Sequence, residues 1–186
     1  VPFNSSDRQF NIGVIKIPSF YINFEDAQKG VKDYKSVTRD VKRCIDSLKT
    51  LSVDGIIIDL RNNGGGSLQE AIDLTGLFIE TGPVVQIKSS NGRIEIEKDF
   101  DKKIHYDGPL LGWTNSFTAA SSEIFSGAWK EYKRGLIVGE PTFGKGTVQN
   151  LLDLDRFFPK SSLKFGQLKI TLAKYYSCLL YTSDAA

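Results

Sequence analysis

Residues Val53 to Leu60, read VDGIIIDL, constrain the fold more than any other stretch. The run is short, continuous, apolar and rich in β-branched side chains, as expected of a buried parallel strand. Arg61-Asn62-Asn63-Gly64-Gly65-Gly66 follows, and then Ser67-Leu68-Gln69-Glu70. That tetrad fits a capping box, with Ser67 as N-cap and Glu70 at N3. Leu68, Ala71, Ile72, Thr75 and Phe78 then mark one helix face. A unit of strand, glycine loop and helix commits the chain to α/β architecture.

Other segments fit that class. Phe10 to Ile17 reads as a strand. Val37, Val41, Cys44, Ile45, Leu48 and Leu51 recur at helical spacing, with Ser36 or Thr38 able to cap. Cys44 falls on that apolar face, so a buried free thiol is expected. Val84 to Lys88 and Arg93 to Glu97 flank Asn91-Gly92, a hairpin signal with room for a loop longer than two residues. Leu110 to Trp113 is a short apolar run. Phe117 to Lys130 reads as a helix and Gly135 to Val138 as a buried strand. Thr147 to Leu154 and Leu163 to Tyr176 read as β segments.

Composition excludes several functions. The 186 residues are 40% hydrophobic and 25% charged, enough for one sizeable core. A net charge of +2, with no basic run among aromatics, argues against nucleic acid. No apolar run reaches the roughly 18 residues of a membrane span. Cys44 and Cys178 lack metal-ligand spacing, so no metal is expected. The chain opens on Val1-Pro2-Phe3 and contains no methionine, so a fragment or mature product is expected.

Three loops carry candidate chemistry, since open α/β sheets place sites at the carboxyl ends of strands. The first is Asn62 to Gly66, whose bare amides at a helix start can hold an anion or a developing oxyanion. Its plain alternative is a connector needing positive φ. The second, Ser116-Phe117-Thr118-Ala119-Ala120-Ser121-Ser122-Glu123, opens a helix. Serine there can serve as cap, nucleophile or both, and capping is the commoner use. The third is Gly139-Glu140-Pro141-Thr142-Phe143-Gly144-Lys145-Gly146-Thr147-Val148-Gln149. A lysine held between glycines in a partly dry site loses proton affinity and can act as a general base. In a strand, positions 145, 147 and 149 share a face, so Gln149 can orient Lys145. By itself Lys145 reads more simply as a solvated surface cation. The same run resembles a phosphate loop, but Gly146 stands where a hydroxyl residue belongs, and no helical periodicity follows.

Together these loops resemble the catalytic core of the C-terminal processing peptidases, or tail-specific proteases. The resemblance rests on Tyr34 to Val41, Gly55 to Gly66, Gly82 to Gln86, Ser121 to Phe125 and Val138 to Gln149, in order and spacing across residues 10 to 176. It implies a crotonase-like, Clp-protease-like α/β core with parallel strand–helix units and β-rich segments. It implies a serine endopeptidase with a Ser–Lys dyad, Lys145 as general base and Gln149 as its orienter. Gly65 or Gly66, with the amide of Ser121, maps onto the oxyanion hole. It implies no cofactor, protein or peptide substrates with apolar C-termini, and a place in the bacterial periplasm or envelope. The single histidine, His105, falls outside the matched elements and is expected to be a surface or satisfied residue.

The chain departs from that pattern in three places. Counting back from Lys145, the nucleophilic serine falls on Ala120, which has no attacking oxygen. A catalytically impaired chain is therefore expected, through either an engineered or a natural change. Ser121 would point about 100° away on a helix, and Ser122 further still, beyond the roughly 3 Å reach a dyad needs. Residues 1–9 are expected to be a leader or linker remnant, too short for the family's PDZ domain. Residues 177–186 do not resemble the family's continuation and are expected to be foreign or truncated. Two rival readings remain: a pseudoprotease that binds peptides or scaffolds an envelope complex, and a nucleotide-binding loop protein.

Overall fold

The computed structural model describes residues 1–5, 8–159 and 163–177. Strands β1 (Pro2–Ser5), β2 (Arg8–Lys16), β3 (Gly55–Asp59), β6 (Leu110–Thr114) and β7 (Leu136–Gly139) form a five-stranded sheet in the order β1-β2-β3-β6-β7. β2, β3, β6 and β7 are parallel neighbours, and β1 pairs antiparallel with β2. Pro2–Ser5 thus belong to the sheet, where the sequence suggested a leader or linker. β4 (Gly82–Ser89), β5 (Ile94–Asp99), β8 (Thr147–Asp153) and β9 (Gln167–Tyr176) form a separate antiparallel sheet in the order β5-β4-β9-β8.

The crossovers supply the helices. α1 (Phe24–Gln28) is one short turn. α2 (Val37–Thr50) buries Val37, Val41 and Ile45. Cys44 and Leu51, expected on the buried face, are exposed instead. α2 packs chiefly against α3 (Leu68–Gly76) and β2, so the face in contact is narrower than the apolar spacing suggested. α3 and α4 (Ser121–Glu131) pack on each other and on β4, which joins the two sheets through one core. Phe125 sits at its centre, fully buried, with ring centroids 4.4 Å from Trp129, 6.0 Å from Phe78 and 5.9 Å from Phe20. Tilted and edge-on aromatic contacts of this kind add to plain area burial.

β7 corrects a second expectation. It is the last strand of its sheet, and Leu136 and Val138 are 70% and 41% exposed rather than buried. An apolar run reports strand propensity but cannot tell a central strand from an edge. The β4–β5 turn follows its signal: Gly92 has φ 85°, and its loop is longer than two residues.

Both predicted caps form, with one change of partner. Ser36 accepts from Arg39 N at 3.2 Å and Ser67 from Glu70 N at 3.3 Å. Glu70 does not return to Ser67, however. Its buried carboxylate accepts from Thr38 N at 2.9 Å, at the first turn of α2. A carboxylate there meets orphan amides and the positive end of the α2 dipole. One side chain therefore fixes α3 against α2.

The aromatic centre generates the first prediction. Phe125→Ala is expected to lower unfolding free energy by about 3–5 kcal/mol, from lost burial plus a cavity. Urea denaturation checks it, and a loss below about 1 kcal/mol would show that the two-sheet core is not packed this way.

Candidate active site

The three loops follow the carboxyl ends of β3, β6 and β7, three adjacent parallel strands. Topology alone therefore gathers them. Side-chain amides and hydroxyls then lock the first to the second. Asn62 N donates to Asn115 Oδ1, and Asn115 Nδ2 returns to Asn62 Oδ1, both at 2.9 Å. Asn63, fully buried, accepts on its carbonyl from Ala119 N and Ser122 Oγ, both at 3.0 Å. Its side chain donates to Ile17 O and accepts from Gly65 N, both at 2.9 Å. Ser121 Oγ donates to Gly66 O at 3.0 Å, and Thr118 Oγ1 to Leu60 O at 2.9 Å.

Glycine is required in that contact. A Cβ on Gly65, at φ 96°, would stand 2.8 Å from Ala120 Cβ and 2.9 Å from Ser121 N. Any side chain would push the two loops apart. Gly65 is buried while Gly66 is exposed. The Gly65 amide is engaged by Asn63; among the described residues, the Gly66 and Ser121 amides are not hydrogen-bonded.

Ala120 is the N-cap of α4 and has φ 53° and ψ −115°. For a non-glycine residue this is a strained conformation that persists only when its surroundings enforce it. Hydrolases place a nucleophile on this kind of sharp turn before a helix. The helix expected over Phe117 to Lys130 therefore begins only after this turn, at Ser121. The enforcing group is Glu123, at N3 of α4. One of its oxygens, Oε2, accepts from Ala120 N at 2.8 Å and from Lys145 N at 3.0 Å. The other, Oε1, accepts from Thr142 Oγ1 and Gly144 N, both at 2.7 Å. One carboxylate thus holds the amides of positions 120 and 145 on the same oxygen.

Ala120, Lys145 and Gln149 share the wall of one cleft of about 650 Å³, with Gly64, Gly66, Ser121 and Tyr175. Lys145 precedes β8 rather than lying within it, and is partly buried. Thr147 and Gln149 line the same cleft on the strand. Among the described residues no hydrogen bond joins Lys145 Nζ to Gln149. Phe24, Leu68, Ile72, Ile124 and Val148 supply apolar surface. The neighbouring serines are committed elsewhere: Ser121 and Ser122 are 4% and 0% exposed and donate to the glycine loop. His105 lies outside the cleft, its Nε2 2.8 Å from Asp46 Oδ1. Cys178 lies outside the described residues, as does most of the 177–186 tail.

Below the glycine loop, Asp59 ends β3 and is 5% exposed. Arg61 Nε and Nη2 reach its two oxygens at 2.9 and 2.8 Å, and the guanidinium stacks 3.4 Å over Trp113 of β6. Hydrogen bonding from Arg61 holds the Asp59 carboxyl below its usual range. Sequence reasoning gave no role to Asp59, Arg61, Asn115 or Glu123. Only Glu123 had a local signal, its N3 position at the start of a helix.

Parallel strands ending in a glycine loop, a strained turn and a lysine loop define an α/β core with one shared cleft at the strand ends. The model of peptidase family S41 matches residues 11–178, and the chain belongs to that family. The chain is 42% identical over 166 residues to the tail-specific protease of Haemophilus influenzae, covering 89% of this chain and 22% of that protein. It is 35% identical over 144 residues to the chloroplastic carboxyl-terminal-processing peptidase 2 of Arabidopsis thaliana, covering 77% and 25% of the two. The solved photosystem II D1 C-terminal processing protease superposes with a TM-score of 0.70 at 29% identity, over 92% of this chain and 39% of that one. The chain thus spans well under half the length of these relatives.

Two predictions follow from the loop contacts. Glu123→Ala leaves the amides of Ala120, Gly144 and Lys145 without their acceptor. It is expected to cost about 2–4 kcal/mol in urea denaturation, while Glu123→Gln, which keeps one acceptor oxygen, costs less. For Asp59 the sign follows from its lowered folded value. Its contribution is present above the unfolded carboxylate value near 4 and fades as pH falls through the folded one. Asp59→Asn should therefore lower the melting temperature at pH 7 and leave a smaller gap at pH 3. An unchanged gap would remove the Arg61 pair as a stabilising contact.

Proposed function

We propose that this chain is a serine endopeptidase core of the Ser–Lys type whose nucleophile position is occupied by Ala120. The observation that carries the reading is the shared carboxylate oxygen of Glu123. It fixes the strained turn at 120 and the lysine loop at 145 to one point, beside the free Gly66 amide. With serine at 120, the Lys145 amine in its neutral form would take the hydroxyl proton as oxygen attacks a peptide carbonyl. The Gly66 and Ser121 amides would receive the oxyanion, with Gly65 excluded by its bond to Asn63. Lys145 would then pass the proton to the leaving amine, and water would release the acyl group by the same route. Gln149 would orient the amine once substrate fills the cleft.

The cleft's apolar lining supports substrates with apolar C-terminal tails. No helix among the described residues is long and apolar enough to cross a membrane. By family resemblance we assign the protein to the bacterial periplasm or envelope. Nothing in this chemistry calls for a metal or nucleotide, and the segment after Lys145 is a strand rather than the helix a phosphate loop requires.

Ala120 itself favours a second reading, in which the cleft binds peptides without cutting them. One experiment separates the two. Ala120→Ser is expected to raise cleavage of an unfolded, apolar-tailed polypeptide by at least about 10³-fold over the parent chain, and Lys145→Ala added to it should abolish that gain. A folded but silent revertant that still binds the polypeptide would establish the binding reading. A parent chain already as fast as the revertant would end the assignment of position 120.

A further inference from the structure

We infer that Tyr175 is a positioning residue for Lys145, acting through backbone rather than through substrate. It lies near the end of β9 and grips the lysine loop twice. Its amide donates to Gly146 O at 3.0 Å, and its hydroxyl donates to Lys145 O. The same hydroxyl lies 3.4 Å from Ala120 O. The successive carbonyls of Lys145 and Gly146 are therefore held by one residue, which also reaches the carbonyl of position 120.

A tyrosine hydroxyl carries a single proton and so donates to one carbonyl at a time. It donates to Lys145 O with Ala120 O within reach, and so holds the lysine loop on the carbonyl side as Glu123 holds it on the amide side. Burial, with the Glu123 carboxylate nearby, pushes the phenol well above its usual value. The phenol therefore holds its proton as a donor to a carbonyl.

Packing does not account for the oxygen. The ring packs against the hydrophobic core, and the main chain keeps its register with β4 at Ile87. Phenylalanine would fill the same volume and preserve both. The hydroxyl's hydrogen-bond partners, among the described residues, are the two carbonyls named. Removing it frees the lysine loop to drift, and small misplacements of a catalytic group cost large factors in rate.

The catalytic consequence rests on the peptidase reading, while the clip itself does not, so two arms are needed. In the parent chain, Tyr175→Phe should leave the melting temperature within a few degrees. It should speed hydrogen exchange at the Gly144 and Lys145 amides by about tenfold. Unchanged exchange would overturn the clip. In the Ala120→Ser background, Tyr175→Phe should lower kcat by about tenfold or more with KM within about twofold. The same change added to Lys145→Ala should lower the residual rate no further, because a residue acting through Lys145 has nothing left to position. An additive loss, or a change confined to KM, would overturn the positioning role. A folded but silent Ala120→Ser chain would instead count against the peptidase reading, and the exchange arm would still decide the clip.

Discussion

The site depends on one carboxylate. Glu123 stands at N3 of α4, and its two oxygens collect donors from Ala120, Thr142, Gly144 and Lys145. A charged acceptor forms shorter and stronger hydrogen bonds than a neutral one. At a helix start it also meets the positive end of the dipole. That combination can hold position 120 in a conformation an alanine would not choose, and can hold a glycine-flanked loop that would otherwise wander. The lysine is placed by its own backbone amide, through a side chain from another segment.

A second layer of contacts keeps the glycine loop in reach. Asn63 has every polar group of its side chain and its carbonyl engaged inside the protein, and so acts as a rigid spacer. It consumes the Gly65 amide and leaves that of Gly66 open. Ser121 and Ser122 spend their hydroxyls on the same loop. Two serines that resemble spare nucleophiles are thus part of the frame. Asp59, Arg61 and Trp113 brace the strand ends beneath.

Elements with strong local patterns were legible in the sequence. VDGIIIDL is a strand, Ser36 and Ser67 cap helices, and Gly92 turns a hairpin, because each depends on residues close in the chain. The lysine, the glycine loop and the helix start were also visible, through spacing that matches a known family. Exposure was less legible. Cys44, Leu51, Leu136 and Val138 are apolar and periodic, yet each faces outward, since position in a sheet or on a packed helix is decided by what lies across from it. The Glu70 capping box failed for a related reason: a buried carboxylate bonds the amide nearest in space, and that belongs to α2.

The sequence by itself determined the class of fold, the family, the lysine loop and the alanine at position 120, all of which are properties of order and local chemistry. Tertiary structure decided which glycine amide is left open, that Glu123 rather than a serine governs the turn, and that Tyr175 reaches both loops. Those contacts join residues far apart in the chain, such as Ala120 and Tyr175, whose sequence separation is 55. Local propensity carries no information across such a separation; only the packing of two sheets around one core brings the groups together.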